Sequence, residues 1–282
     1  MRPFLMPELP EVELVARSLD RLVRNRRIAA AELLRERLAP ATSPIEFAGV
    51  LEGSGINFVH RRGKHILFDL DSGQTLITHL RMSGRFLLLP AQRENPKFAH
   101  AVFHFEDENR LVFQDQRHFG FMKIVRTNEL EHAPEIRKLA PEPFSDGFSI
   151  DYLRNALRRS KRTIKEFLLD QTKVCGLGNI YASEALFLAG VHPAKRSDRI
   201  SQAKAAILFE KVRETLKKAI EAGSTLNVDP ENIDGSYYGG GYESRWLVYD
   251  REGSPCSACA APIRRLKQGG RSSYLCPICQ RK

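Results

Sequence analysis

Hydrophobic residues recur at helical spacing near the start of the chain. From Pro10 onward they follow each other at three- and four-residue steps, at Val12, Val15, Ala16, Leu19, Leu22 and Val23. This period places them on one face of an amphipathic helix. Proline suits the first turn, and the acidic Glu11 and Glu13 favour the positive end of the helix dipole. The pattern therefore predicts that Pro7-Glu8-Leu9 is held rigidly where a helix begins.

Between residues 27 and 126 the hydrophobic pattern becomes that of short strands. His65–Leu70 and residues 75–80 flank the turn Asp71-Ser72-Gly73 and predict a hairpin. A second pair of strands is predicted on either side of the polar residues 106–109. Many short strands after one early helix predict a β-sandwich with Greek-key or meander connections.

Beyond residue 133 prolines interrupt the chain, and the spacing then becomes helical again. We predict a linker over 134–147 and then four helices, over 149–158, 163–171, 178–188 and from 201 to about 223. Residues 224–244 are rich in Gly, Asp, Asn and Tyr, which is typical of a functional or disordered loop. A short β-like segment is predicted at Trp246-Leu247-Val248-Tyr249. The predicted domains are therefore a β-sandwich over 1–133, a helical domain over 148–244 and a C-terminal module over 245–282.

The charge balance favours an anionic partner. The chain carries 44 Lys and Arg against 34 acidic residues, for a net charge of +10. Basic side chains that neutralise phosphates release condensed counterions, although a basic surface also serves solubility alone. No basic amphipathic helix, lipidation motif or long apolar run indicates a membrane. The opening residues lack the apolar core of a signal peptide, so a cytoplasmic location is expected.

Four of the five cysteines form one cluster. Cys256-x2-Cys259 is followed after sixteen residues by Cys276-x2-Cys279, the spacing of a four-thiolate zinc site. Four protein ligands leave no open position, so one structural zinc ion is expected. The alternative, four unliganded thiols, would leave nothing to hold so short a tail folded. The residues between the pairs predict a basic hairpin, with Arg264, Arg265, Lys267 and Arg271.

Residues 6–13, Met-Pro-Glu-Leu-Pro-Glu-Val-Glu, resemble the opening of the formamidopyrimidine-DNA glycosylase and endonuclease VIII family. The resemblance runs the length of the chain, through Gly63-Lys64, His79-Leu80-Arg81-Met82-Ser83-Gly84, Arg117-His118-Phe119-Gly120, residues 176–184 and the cysteine cluster. It implies an α+β multidomain fold: an N-terminal β-sandwich with a leading helix, then a helix–two-turns–helix module bearing a zinc-finger β-hairpin.

The resemblance also implies an activity, that of a bifunctional DNA glycosylase and apurinic/apyrimidinic lyase of base excision repair. Pro7 resembles the family's N-terminal proline, whose secondary amine attacks the sugar C1′ and forms a Schiff base. Glu8 resembles its general acid/base, and Lys64 its lysine on a β-hairpin that contacts the lesion-strand phosphate. Taken alone, these residues are more typical of a helix start, a helix-dipole acid and a solvated turn cation than of a catalytic site.

One departure concerns the nucleophile itself. Six residues precede Pro7, and a proline nitrogen inside a peptide bond is not nucleophilic. We expect translation to start at Met6 and this methionine to be removed, so that Pro7 becomes the first residue.

The same resemblance implies DNA contacts. Met82, Arg117 and Phe119 match the wedge that fills the gap left by a flipped nucleotide, although Met and Phe are also ordinary core residues. The phosphate contacts implied are Lys64, His79, Asn179 and Arg271. Arg81 stands where the family usually has glycine, and His118 where it often has a second basic residue.

Lesion preference is indicated by two features. Asp234 to Tyr242 lies where purine-repairing members carry a cap over 8-oxoguanine, and Lys165 falls where they have a lysine near the lesion. We therefore expect a monomeric enzyme that acts on double-stranded DNA containing oxidised purines, namely 8-oxoguanine and formamidopyrimidines. The alternatives are an endonuclease VIII-like enzyme for oxidised pyrimidines and a non-catalytic zinc-finger DNA-binding protein.

Overall fold

The chain divides into two compact units. In the computed structural model, residues 6–223 and 245–281 are described. The described part of unit 1 is residues 6–137, and that of unit 2 is residues 138–223 with 245–281. Residues 1–5 and the predicted lesion cap at 234–242 lie outside the described residues.

Unit 1 contains two four-stranded antiparallel sheets. Its elements are α1 (Leu9–Val23), β1 (Ile28–Leu33), α2 (Pro44–Leu51), β2 (Ile56–Arg62), β3 (His65–Leu70), β4 (Gln74–His79), β5 (Gly84–Pro90), β6 (Ala99–Phe105), β7 (Asn109–Asp115), β8 (Phe121–Arg126) and α3 (Pro134–Arg137). One sheet has the strand order β1-β6-β7-β5 and the other β2-β3-β4-β8. The apolar faces of both sheets and of α1 share one core, where the Phe68 and Phe86 rings lie 5.5 Å apart. The predicted β-sandwich with a leading helix is confirmed.

Helix α2 was not predicted, although its start signal is present in the sequence. Ser43 caps it, because its Oγ accepts a hydrogen bond from the Glu46 N–H at 3.2 Å, and Pro44 occupies the first turn. The helix buries Phe47 and Leu51 against the sandwich. The helix has only eight residues and lies between two strands, so its hydrophobic pattern does not distinguish it from the neighbouring strands.

Unit 2 contains four helices and a hairpin among its described residues. They are α4 (Ile150–Arg158), α5 (Ile164–Leu169), α6 (Asn179–Leu188), α7 (Gln202–Glu221), β9 (Arg264–Gln268) and β10 (Arg271–Leu275). The predicted caps Ser149, Thr163 and Ser201 each accept a hydrogen bond from the backbone N–H three residues on. The helical module and its finger hairpin are therefore confirmed as a fold class.

Two local predictions were wrong, and the predicted linker contains the short helix α3 at its start. Helix α5 ends at Leu169, two residues before the predicted Gln171. Residues 246–249 form no strand. The backbone N–H groups of Leu247, Val248 and Tyr249 bond to the side chain of Glu184 and not to a neighbouring strand.

Among the described residues, none of the helices has both the length and the apolar character needed to span a membrane.

Candidate active site and metal centre

The first turn of α1 holds the two leading candidates. Pro7 is buried, and Glu8, 3% exposed, occupies the N-cap position of the helix. The Glu8 N–H donates a hydrogen bond to Glu11 Oε2 at 2.9 Å, which fixes the chain where it enters the helix. The helix dipole favours negative charge at this point. The sequence therefore folds so that a proline and a carboxylate are held at the positive end of a rigid helix.

Lys64 lies at the same end of unit 1 as this first turn. Helix α1 and strand β2 run antiparallel, because Asp20 Oδ1 accepts from the Val59 N–H at 2.7 Å while Glu13 Oε2 accepts from Arg61 Nε at 2.6 Å. The N-terminal end of α1, before Glu13, and the C-terminal end of β2, after Arg61, therefore lie at the same edge of unit 1. That edge carries the β2–β3 turn, in which Lys64 is 8% exposed.

His79 belongs to the same edge. It ends β4 and is the register partner of His65, the first residue after Lys64, and the two imidazole rings meet edge to face at 4.8 Å. His79 Nδ1 accepts a hydrogen bond from the Arg81 N–H at 3.0 Å. The proton of a neutral His79 ring is consequently on Nε2, which makes that atom a donor suited to a phosphate oxygen.

The three predicted wedge residues lie on two loops of unit 1. Met82 is in the β4–β5 connection and is half-buried, whereas Arg117 and Phe119 are exposed in the β7–β8 connection. The Arg117 guanidinium lies over the Phe119 ring, 5.3 Å from its centroid, and Phe119 is 51% exposed. An exposed aromatic ring and a cation on one short loop suit contact with stacked bases.

Three other predicted DNA-contact residues meet in unit 2. Asn179 opens α6 after Gly178, and its Nδ2 donates to the Ser272 carbonyl of β10 at 3.0 Å. Lys165 donates to the same carbonyl at 3.3 Å and to Ser183 Oγ at 2.7 Å. These contacts attach the finger hairpin to α5 and α6. They hold the backbone directly beside Arg271.

Lys165 is not on the surface, because only 1% of it is exposed. Arg271, in contrast, is exposed as the first residue of β10 after the Gly269-Gly270 turn. It lines a groove of about 480 Å³ together with Arg162, Glu166, Leu169, Asp170, Gln268 and Gly269. The predicted finger tip is therefore a turn that presents one arginine at the edge of a groove.

The four clustered cysteines fit a tetrahedral metal site. All four sulfurs lie within 4.8 Å of one another, with Cys256 3.9 Å from Cys279 and Cys259 3.4 Å from Cys276. Zinc–sulfur bonds of about 2.3 Å give sulfur–sulfur edges of about 3.8 Å in a tetrahedron. The donor set is closed, so the cluster is one structural zinc site without a catalytic position.

A second anchor connects α6 to the segment before the zinc site. Glu184 is 2% exposed, and its carboxylate accepts hydrogen bonds from the N–H groups of Leu247, Val248 and Tyr249 at 2.8–3.0 Å. Burial raises the pKa of Glu184, and these three donors oppose the rise. Sequence reasoning included Glu184 in a motif but did not predict this role, since nothing local indicates a partner more than sixty residues away.

Comparison with known proteins identifies all three parts of the chain. Residues 6–122 match the formamidopyrimidine-DNA glycosylase N-terminal domain, 139–229 its H2TH domain and 253–281 the zinc finger found in FPG and IleRS. Formamidopyrimidine-DNA glycosylases of Dinoroseobacter shibae and Bacillus licheniformis are 42% and 39% identical, over 98% of this chain and all of theirs. Lactococcus lactis Fpg, solved in complex with DNA containing an abasic site, has a TM-score of 0.90 and 33% identity over 98% of this chain and 100% of that one.

A β-sandwich with a leading helix, an H2TH module and a four-cysteine finger, in this order, define a class of zinc-containing DNA repair glycosylases. Enzymes of this class combine base excision with abasic-site lyase activity. The chain belongs to the formamidopyrimidine-DNA glycosylase family.

Proposed function

We propose that this enzyme excises oxidised purines from double-stranded DNA through a Schiff base on Pro7 and then cuts the strand by β- and δ-elimination. The observation that carries the proposal is the common edge of unit 1. The N-terminal end of α1, with Pro7 and Glu8, and the β2–β3 turn, with Lys64, lie there together. One nucleotide placed at this edge meets an amine, a carboxylate and a cation.

Each residue has a separate task in the proposed reaction. The Pro7 nitrogen, once it is N-terminal, has an α-amino pKa near ~8, so a useful fraction is unprotonated at neutral pH. It attacks C1′, the C1′–N bond to the base breaks, and the base leaves with a proton. Glu8 protonates the sugar ring oxygen as the ring opens and relays protons afterwards. The resulting iminium acidifies the C2′ and then the C4′ proton, and their removal expels the 3′ and then the 5′ phosphate. The sugar remnant stays on Pro7 until water hydrolyses the imine.

The proposed processing of the N-terminus has one independent support. The family match begins at residue 6, and the matched relatives are covered over their whole length by 98% of this chain. We propose that Met6 is the initiator and is removed, because a small second residue such as proline permits its cleavage.

One relative supports the proposed preference for purine lesions. Lactococcus lactis Fpg has been solved with DNA containing Fapy-dG, a purine product, and shares 33% identity with this chain. We propose that Lys165 takes part indirectly, by fixing the Ser272 backbone from inside unit 2.

Duplexes that differ only in the lesion test this proposal. Release of the base and strand scission are measured on 8-oxoguanine opposite cytosine, on dihydrouracil opposite guanine and on intact DNA. We expect kcat/KM for the purine lesion to exceed that for the pyrimidine by about tenfold or more. Faster cutting of dihydrouracil would identify an endonuclease VIII-like enzyme. Binding without cutting of any duplex would identify a non-catalytic protein.

Arg271 is proposed to contact a phosphate, together with Lys64, His79 and Asn179. Arg271→Ala is expected to reduce the slope of log affinity against log salt by about one unit, because one fewer counterion is released. The matched control is Arg264→Ala, because Arg264 is also exposed and lies at the other end of the same hairpin. The slope is measured by fluorescence anisotropy over a salt series. An unchanged slope in the Arg271 variant removes this contact.

The remaining proposals concern the domain bounds, the oligomeric state and the location of the enzyme. We propose a catalytic domain over 1–133, a linker over 134–147, an H2TH domain over 148–244 with its lesion-capping loop, and a zinc finger over 245–282. The three family matches, at 6–122, 139–229 and 253–281, support this division. We also propose a monomer located in the cytoplasm, as expected for a bacterial-type repair enzyme whose substrate is chromosomal DNA.

A further inference from the structure

The two loops that carry the wedge residues are tied together by one buried carboxylate. Asp115, the last residue of β7, is 1% exposed. Its carboxylate accepts hydrogen bonds from Ser83 Oγ in the β4–β5 loop, from the Arg117 N–H at 3.1 Å and from the Gly120 N–H at 2.6 Å in the β7–β8 loop. The Arg117 N–H also lies 3.0 Å from Ser83 Oγ. Asp115 therefore bridges the loop of Met82 to the loop of Phe119.

Close packing at the loop ends supports the same bridge. A Cβ atom on Gly84, which closes the first loop, would lie 2.5 Å from the Leu80 carbonyl oxygen and 2.7 Å from the Phe113 ring. One on Gly120, which closes the second, would lie 2.7 Å from the same ring and 3.1 Å from Asp115 Oδ2. Both loops thus close against Phe113, where only glycine fits.

The second loop is also held from its other side. His118, between Arg117 and Phe119, has a left-handed backbone with φ of 61°. Its Nδ1 is 2.9 Å from His100 Nε2 on β6, and the two rings are nearly parallel with centroids 5.0 Å apart. Burial lowers the pKa of His100 despite the nearby Asp115, so its ring is neutral at neutral pH. The hydrogen bond holds His118 in a conformation that a non-glycine residue rarely adopts.

We propose that Asp115 is a positioning residue for base excision, which holds Met82, Arg117 and Phe119 as one preorganised wedge. The proposal rests on the proposed function, in which these three side chains fill the gap left by the flipped nucleotide. Asp115 itself is buried, so it affects base excision only by fixing the positions of the two loops. A wedge that is already rigid loses less conformational entropy when it enters the duplex. The effect is therefore confined to substrates that have a stack to invade.

The test compares two substrates in Asp115→Asn. The amide keeps the size of the side chain but turns an –NH₂ group toward an N–H or O–H donor, so at least one of the three contacts is lost. On a duplex with 8-oxoguanine opposite cytosine, kcat/KM is expected to fall about 10- to 100-fold, because each lost buried contact costs on the order of a tenfold factor. On single-stranded DNA with a preformed abasic site, Schiff-base formation is expected to stay within about twofold.

A fluorescent base beside the lesion measures the opening of the base stack separately from the overall folding of the protein. With 2-aminopurine beside the lesion, wild-type enzyme is expected to raise the fluorescence as the stack opens, and Asp115→Asn to reduce the rate of this rise. Asp107→Asn is the control, since Asp107 is exposed in the turn at the other end of β7, where its carboxylate pairs with Arg26 and accepts a hydrogen bond from the Asn109 N–H. It is expected to match wild type on both substrates.

Two variants of Ser83 test the same bridge if Asp115→Asn does not fold. Ser83→Ala removes the hydroxyl that joins the two loops and is expected to slow duplex excision, whereas Ser83→Thr keeps the hydroxyl and is expected to restore it. Equal losses on duplex and single-stranded substrates would mean a general structural role and overturn the proposal. So would full duplex activity in folded Asp115→Asn. If Phe119→Ala has no effect on duplex excision, the wedge assignment itself fails, and the wild-type lesion assay shows whether the proposed function fails with it.

Discussion

Replacing Cys276 with serine is expected to release the zinc ion and to reduce lesion-strand cleavage to below about 1% of wild type. The physical reason is the small size of the finger. Apart from the cysteines, the buried apolar residues of 253–281 are Ile263, Tyr274 and Leu275 alone, so zinc binding supplies most of the free energy that folds this segment. Without it the hairpin β9–β10 no longer holds Arg271 in place, and the contacts of Asn179 and Lys165 to the Ser272 carbonyl are lost.

The zinc content and cleavage rate are measured on the same preparations. Cys175→Ser is the matched control, because Cys175 is a buried thiol outside the cluster whose Sγ donates to Glu142 Oε1 at 3.6 Å. It is expected to retain one zinc ion per chain. A zinc-free Cys276→Ser protein with wild-type activity would show that the finger is dispensable.

Replacing Glu8 with glutamine is expected to lower the rate of 8-oxoguanine release by about 100-fold or more, the usual contribution of a general acid/base. An amide of the same shape keeps the N-cap position but does not transfer protons. Binding of the lesion duplex is expected to remain close to wild type, and a preformed abasic site is expected to be opened faster than the intact lesion.

Single-turnover kinetics separate these steps. Glu46→Gln is the control, since Glu46 is an exposed acid in the first turn of α2 and its replacement makes the same change of charge. Its rate is expected to be unchanged. If Glu8→Gln releases the base at the wild-type rate, the proton transfer belongs to another group.

Local signals in the sequence were sufficient for most elements. The strands His65–Leu70 and Gln74–His79 form the predicted hairpin, and Ser149 caps the predicted helix. Turn and cap residues act on neighbours a few positions away, so their effect can be recognised without the tertiary structure.

Long-range contacts account for the errors. Residues 246–249 have the composition of a strand, but the N–H groups of residues 247–249 bond to Glu184, which is 63–65 positions away. Lys165 stays a predicted lesion-side residue, but its burial among α5, α6 and β10 depends on contacts with Ser183 and Ser272 that no local pattern indicates. Sequence spacing within one helix does not contain this information.

The same difference between local signals and long-range contacts applies to the candidate site. The sequence predicted that Pro7 and Glu8 begin a helix, because the helix signals are local. The common edge with Lys64 follows only from the antiparallel contact of α1 and β2. Asp115 carried no signal at all, because a carboxylate after a strand is typical of many turns.

Borohydride trapping identifies the residue that forms the Schiff base with DNA. Two forms of the enzyme are prepared, one that begins at Pro7 and one that keeps Met1–Met6, and intact mass verifies each N-terminus. Both are mixed with a duplex that carries 8-oxoguanine opposite cytosine in the presence of borohydride, which reduces an imine to a stable amine. We expect a covalent protein–DNA band from the first form alone, with the DNA attached to Pro7 when the peptides are mapped. An equally strong band from the extended form, or attachment at Lys64, would contradict it.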